Sequence, residues 1–127
     1  MLKDDGFESL GFECLATLYI VFAFSSFFSH AIIGVVGSLP KAMSTATLGY
    51  FCWICCFILP SKLREWPEGE TVPWILDDSV IKVLLLLTAA INGAGAGILC
   101  SSEGKFLTIC ACEENKGFFN SYFWAYF

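Results

Sequence analysis

Apolar residues in this chain come in three long blocks rather than in stripes. Cys14–Pro40, Ala42–Ser61 and Val83–Ser102 contain no Asp, Glu, Lys or Arg, and each is at least 20 residues long. A helix rises about 1.5 Å per residue, so ~20 such residues cross the ~30 Å hydrocarbon core of a bilayer. A helix on the surface of a soluble domain keeps a polar face, whereas one that is apolar all round is buried in protein or lipid. The pattern predicts an all-α membrane protein of antiparallel transmembrane helices over about residues 13–36, 42–59 and 80–102.

The interruptions between the blocks set the connections. Gly37 to Lys41 reads as a tight turn with Pro40 in the first turn of the second helix, and so short a link predicts antiparallel neighbours. Pro60 should end the second helix. Ser61 to Ser79 holds Lys62, Arg64, Glu65, Glu68, Glu70, Asp77 and Asp78, with Trp66 and Trp74 at its flanks. Indole rings favour the membrane–water interface, so this is the main hydrophilic loop. A polar link from Glu103 to Lys116 precedes Phe118–Phe127, which opens another helix. That last segment gives only ~15 Å of helix, about half a membrane, so the chain is expected to be one part of a larger bundle.

Composition narrows the class further. The chain is 57% hydrophobic, above the ~45–50% of soluble domains, and 127 residues leave no room for a separate soluble domain. A net charge of -5 excludes the clustered basic surface that nucleic acid needs. The residues before the first block are acidic (Asp4, Asp5, Glu8, Glu13), unlike the positive start of a signal peptide. Basic residues divide almost evenly between the two sides, so charge alone sets no orientation. Seven cysteines, an odd number placed mostly in or beside the spans, give poor support for a disulfide framework.

Several residues could carry function. Ala89, Gly93 and Gly97 recur every fourth position, with Gly95 and Ala96 between them. Small residues at this spacing let membrane helices approach closely, either for packing alone or for a contact that rocks during alternating access. The glycines lack dinucleotide-binding spacing. Asn92 lies within the same helix and Glu103 follows at its mouth, and polar groups at membrane depth often mark substrate or proton paths. Helix anchoring and interhelical hydrogen bonding are the simpler roles for them. His30, the one histidine, follows Ser25, Ser26 and Ser29 and could relay protons or gate. Cys52, Cys55 and Cys56 sit in apolar surroundings unsuited to a reactive thiolate or zinc. Cys110 and Cys112 fall at a membrane edge, where lipidation is chemically accessible. The sequence predicts no metal site, no cofactor and no enzymatic constellation.

The order of these pieces resembles a known family. Gly11-Phe12-Glu13-Cys14-Leu15-Ala16-Thr17-Leu18-Tyr19 through Phe22-Ala23-Phe24-Ser25-Ser26 is similar to the second membrane helix of the uncoordinated-93-like branch of the major facilitator superfamily. Ala31–Gly37 through Lys41-Ala42 looks like the hairpin that follows there. Ala94-Gly95-Ala96-Gly97, then Ser102-Glu103-Gly104-Lys105-Phe106-Leu107, resembles its fourth helix, and Phe118–Phe127 the start of its fifth. The chain departs from that family in having one basic residue, Lys41, in the hairpin, Cys100 in place of Trp, and His30 in place of Pro.

The resemblance implies a partial N-terminal half of a major-facilitator-type bundle, with the Gly37–Lys41 hairpin and the Glu103–Lys116 link in the cytosol. It implies transport of a small solute or ion, or regulation of a partner channel or receptor. A small structural subunit of a larger complex is the alternative. Expected partners are the lipid bilayer and either the remaining helices of a facilitator-type bundle or a partner membrane protein. Plasma membrane and endomembranes fit equally.

Overall fold

All three apolar blocks are helical in the computed structural model, which describes residues 9–67 and 70–126. Asp4, Asp5, Glu8 and Glu68 lie outside the described residues. Helix α1 is Leu10–Val36, α2 Leu39–Cys56, α3 Ile58–Arg64, α4 Asp78–Cys110 and α5 Lys116–Tyr126, with a single 3-10 turn at Trp74–Leu76 before α4. Leu10–Val36, Leu39–Arg64 and Asp78–Cys110 are long and apolar enough to cross a membrane. Among the described residues the secondary structure is all helical, with three membrane-spanning candidates.

Local chemistry explains where each helix starts and stops. Gly37 ends α1 with φ 72°, a left-handed value that suits glycine, and its N–H donates to the Ile33 carbonyl at 3.0 Å. Ser38 then turns the chain in extended conformation, and Pro40 occupies the first turn of α2, where a missing N–H costs nothing. Pro60 interrupts the second span without ending it. Its ring cannot donate to the Cys56 carbonyl, Phe57 tightens to bond Ile54 at 3.2 Å, and helix resumes as α3 through Arg64. Asp77 caps α4 by accepting from Ser79 N–H at 2.9 Å, so α4 begins two residues before Val80. Glu103 to Cys110, expected in a link, continue α4, and the connection to α5 shrinks to residues 111–115.

The packing order differs from the expected hairpin. α4 lies between α1 and α2 and packs against both, while α1 and α2 touch each other only slightly. A two-residue link brings helix ends together but does not force the helices into side-by-side contact. A third helix thin enough to slip between them wins more contact than they offer each other.

Relative direction follows from the contacts. Leu18 lies against Gly93, and Phe22 to Ser26 lie against Gly97, so α1 and α4 run parallel. Ala46 lies against Gly95, and Gly49 against Ile91 and Asn92, so α2 runs antiparallel to both. At the loop end, Leu10, Cys14, Ile81, Leu85 and Ala89 form a buried cluster that Trp53, Cys56, Leu59 and Leu63 cover.

Candidate functional site

The most organised feature is the seam through α4. Successive residues of a helix turn by about 100°, so Gly93 and Gly97 share one face while Gly95 looks the opposite way. Each face receives a different helix. A Cβ built on Gly93 would stand 3.1 Å from the Leu18 Cα and closer still to its carbonyl oxygen. On Gly97 it would meet the Ser25 hydroxyl, with Phe22 O at 2.7 Å and Ser26 N at 2.9 Å. On Gly95 it would come within 2.6 Å of the Ala46 carbonyl of α2. Backbone therefore packs on backbone on both sides, and only glycine fits at these three positions.

The partner faces complement this. α1 presents Leu10, Cys14, Ser25, Ser29 and Ile33 as its buried stripe. Ser25 Oγ donates to Phe22 O at 3.0 Å and lies 3.3 Å from Gly93 O, which ties α1 to α4 through a backbone acceptor that a larger residue would cover. α2 presents Ala42, Ala46 and Gly49. That second small-residue stripe, at i, i+4 and i+7, is visible in the sequence as Ala42-x3-Ala46-x2-Gly49, but the α4 pattern alone does not point to it.

Ala89, Gly93 and Gly97 thus come together against α1, with Ala89 fully buried in the loop-end cluster. Asn92 is 2% exposed, and its Oδ1 has no hydrogen-bond partner. Ser26 Oγ, Trp53 Nε1 and Ser102 Oγ are likewise buried without partners. The other sequence candidates lie apart from this seam. His30 is exposed on α1, away from this seam. Glu103 is half-buried toward the outer end of α4, beside Cys100, Asn120 and Trp124. Cys110 ends α4 and Cys112 follows it, both exposed and both free thiols. Cys52, Cys55 and Cys100 are exposed as well, and Cys14 is the buried thiol. No group of three His, Cys, Asp or Glu side chains gathers among the described residues.

Hollows border α4 on two sides. An apolar cleft of about 210 Å³ opens where α1 and α2 diverge, walled by Ile32, Val36, Ala46, Ile91, Ala94 and Ile98 among others. A second hollow of about 300 Å³ lies between α4 and α5 and has a more polar lining. Lys62 and Glu65 form an exposed ion pair at 2.8 Å at the loop end, and the Lys62 ammonium holds the Glu65 carboxyl below its usual range.

The arrangement supplies helix-to-helix contact. Comparison with protein-family models, with curated proteins and with solved structures gives no match.

Proposed function

We propose that this chain is a membrane-embedded packing unit of uncoordinated-93-like, major-facilitator type, which acts by associating with further membrane helices and regulates or completes a larger membrane protein. The observation that carries this reading is the double-sided glycine contact of α4. Three glycines in five residues let α1 and α2 grip one helix at backbone distance, an interface suited to holding helices together rather than to passing a solute between them. In lipid, where apolar burial gives no drive, such contacts and interhelical hydrogen bonds supply the association energy.

Transport is the second reading, favoured by one specific observation. Asn92 keeps a carbonyl oxygen without a partner inside the bundle, and a polar group at that depth has value on a substrate path. A transport site forms between the repeated halves of a facilitator, so on this reading Asn92 serves together with further helices.

Photocrosslinkers at outward positions of each span test both readings. Phe27, Phe51 and Leu87 are suitable because all three are exposed. Crosslinking of one face to a discrete membrane protein is the expected result. Crosslinks to lipid alone from all three helices would overturn the association reading. Solute flux into vesicles holding the chain and its crosslinked partner, lost in Asn92→Leu, would establish transport instead.

A further inference from the structure

The hollow between α4 and α5 has a built-in depth gauge. The charge-free stretch Val83–Ser102 of α4 has 20 residues, which is ~30 Å of helix and matches the hydrocarbon thickness. Glu103 therefore marks the edge, and residues 104 to 108 occupy the next ~8 Å, the headgroup layer. α5 runs back toward the membrane: Lys116, Gly117 and Asn120 face Gly104, Leu107 and Thr108, and Phe123 and Trp124 return to the level of Cys100 and Glu103.

Two adjoining hollows result, sharing Gly104, Leu107 and Asn120. The outer one, about 300 Å³, has Lys116, Asn120 and Thr108 in its wall and reaches the lower end of ligand-site volumes. The inner one, about 60 Å³, is walled mainly by Leu107, Phe123 and Trp124, with Glu103 at its rim. Gly104 and Gly117 line the outer hollow, and a Cβ on either would meet nothing within 4 Å.

We propose that this notch binds the headgroup of a glycerophospholipid. The Lys116 ammonium and the Asn120 amide hold the phosphate, and Lys supplies the point charge a phosphate needs. First-turn N–H groups of α5 add donors. One acyl chain descends past Leu107 and Phe123 into the hydrocarbon. The headgroup is net neutral, a phosphocholine or phosphoethanolamine, because Glu103 at the rim and Glu113 and Glu114 in the adjoining link oppose additional negative charge. The site requires that α4 span the bilayer and is independent of the packing-unit and transport readings.

Native mass spectrometry of the full chain in detergent tests this with four probes: dioleoyl phosphatidylcholine, dioleoyl phosphatidylserine, dioleoylglycerol and chain-free glycerophosphocholine. Phosphatidylcholine should be retained and the other three should not. Gly104→Leu and Gly117→Leu, which fill the notch, should each lower retention about tenfold, equivalent to ~1.4 kcal/mol. Lys116→Gln, at an exposed position, is the deciding variant if a filling variant loses helicity. Equal retention of dioleoylglycerol would reduce the contact to nonspecific chain adhesion and overturn the site. Retention unchanged in Lys116→Gln and the filling variants would do the same. Tighter binding of phosphatidylserine would overturn the neutral-headgroup assignment.

Discussion

Replacing Gly93 with alanine is the sharpest perturbation of the α4 seam. The new Cβ would lie 3.1 Å from the Leu18 Cα and carbonyl carbon, against ~3.5–4.0 Å for carbon atoms in contact. α1 must retreat by ~0.5–1 Å, and a gap of that size forfeits a quarter to a half of each dispersion well along the seam. It also stretches the Ser25–Gly93 hydrogen bond, already 3.3 Å, a class worth about 0.6 kcal/mol between membrane helices. Overpacking of this kind costs ~1–3 kcal/mol. Gly104 is the control, because a Cβ there meets nothing and alanine should gain roughly 0.5–1 kcal/mol of helix propensity. The two variants should therefore shift in opposite directions and differ by ~1.5–4 kcal/mol. SDS titration of the detergent-solubilised chain would measure this. Trp53 is the reporter, since it packs on the buried cluster, with Trp66, Trp74 and Trp124 replaced by Phe. If Gly93→Ala and Gly104→Ala unfold at the same SDS fraction, the backbone contact is not what holds α1 to α4.

The same titration ranks the other positions. Gly97→Ala and Gly95→Ala should destabilise about as much as Gly93→Ala, and Gly49→Ala less, because its Cβ would press less closely, standing 3.1 Å from the Ile91 carbonyl oxygen. Asn92→Leu replaces a buried oxygen that lacks a partner with an apolar side chain of similar size. It should leave stability unchanged or raise it by ~1 kcal/mol, and a loss of more than that would show that Asn92 is hydrogen-bonded in the bilayer. Pro60→Ala should join α2 and α3 into one continuous helix, read as added helical circular dichroism. The Glu65 carboxyl is held low by Lys62, so its stabilising contribution is present above the ordinary carboxylate range and fades as pH falls through the lowered value. Both groups are exposed and screened, and Glu65→Gln should leave the unfolding profile unchanged between pH 4 and pH 8, as a buffer series would check.

The three spans and the small-residue face at Ala89, Gly93 and Gly97 are legible in the sequence because length, absence of charge and spacing act within one helix. The order of packing is not. Gly37-Ser38 says that two helices meet, but the sandwiching of α4 depends on Ala42, Ala46 and Gly49 of α2 meeting Gly95, a match between segments some fifty residues apart. The outer end of α4 is hidden for a related reason. Glu103 and Lys105 look like the start of a polar link, yet a helix leaving the membrane is free to carry charge while its backbone bonds continue, here to Cys110. Pro60 misleads in the same way, since a missing hydrogen bond at the membrane edge bends the segment and leaves the next turn intact. The α4–α5 hollow is invisible in the sequence because it is lined by residues of two helices, Gly104, Leu107 and Thr108 of α4 and Lys116, Gly117 and Asn120 of α5, whose meeting the spacing within either helix does not specify.

The slight contact between α1 and α2 has a consequence for biosynthesis. These two helices leave the ribosome before α4, but the surfaces they bury are made for that later segment. Until α4 arrives, Ser25, Ser29 and the Ala42–Gly49 stripe lack the helix they pack against, so the first hairpin is formed but not packed. Packing of both helices therefore waits on α4. The bundle is complete only once residues 78 to 110 are in place, because that segment supplies the surface both earlier helices pack against.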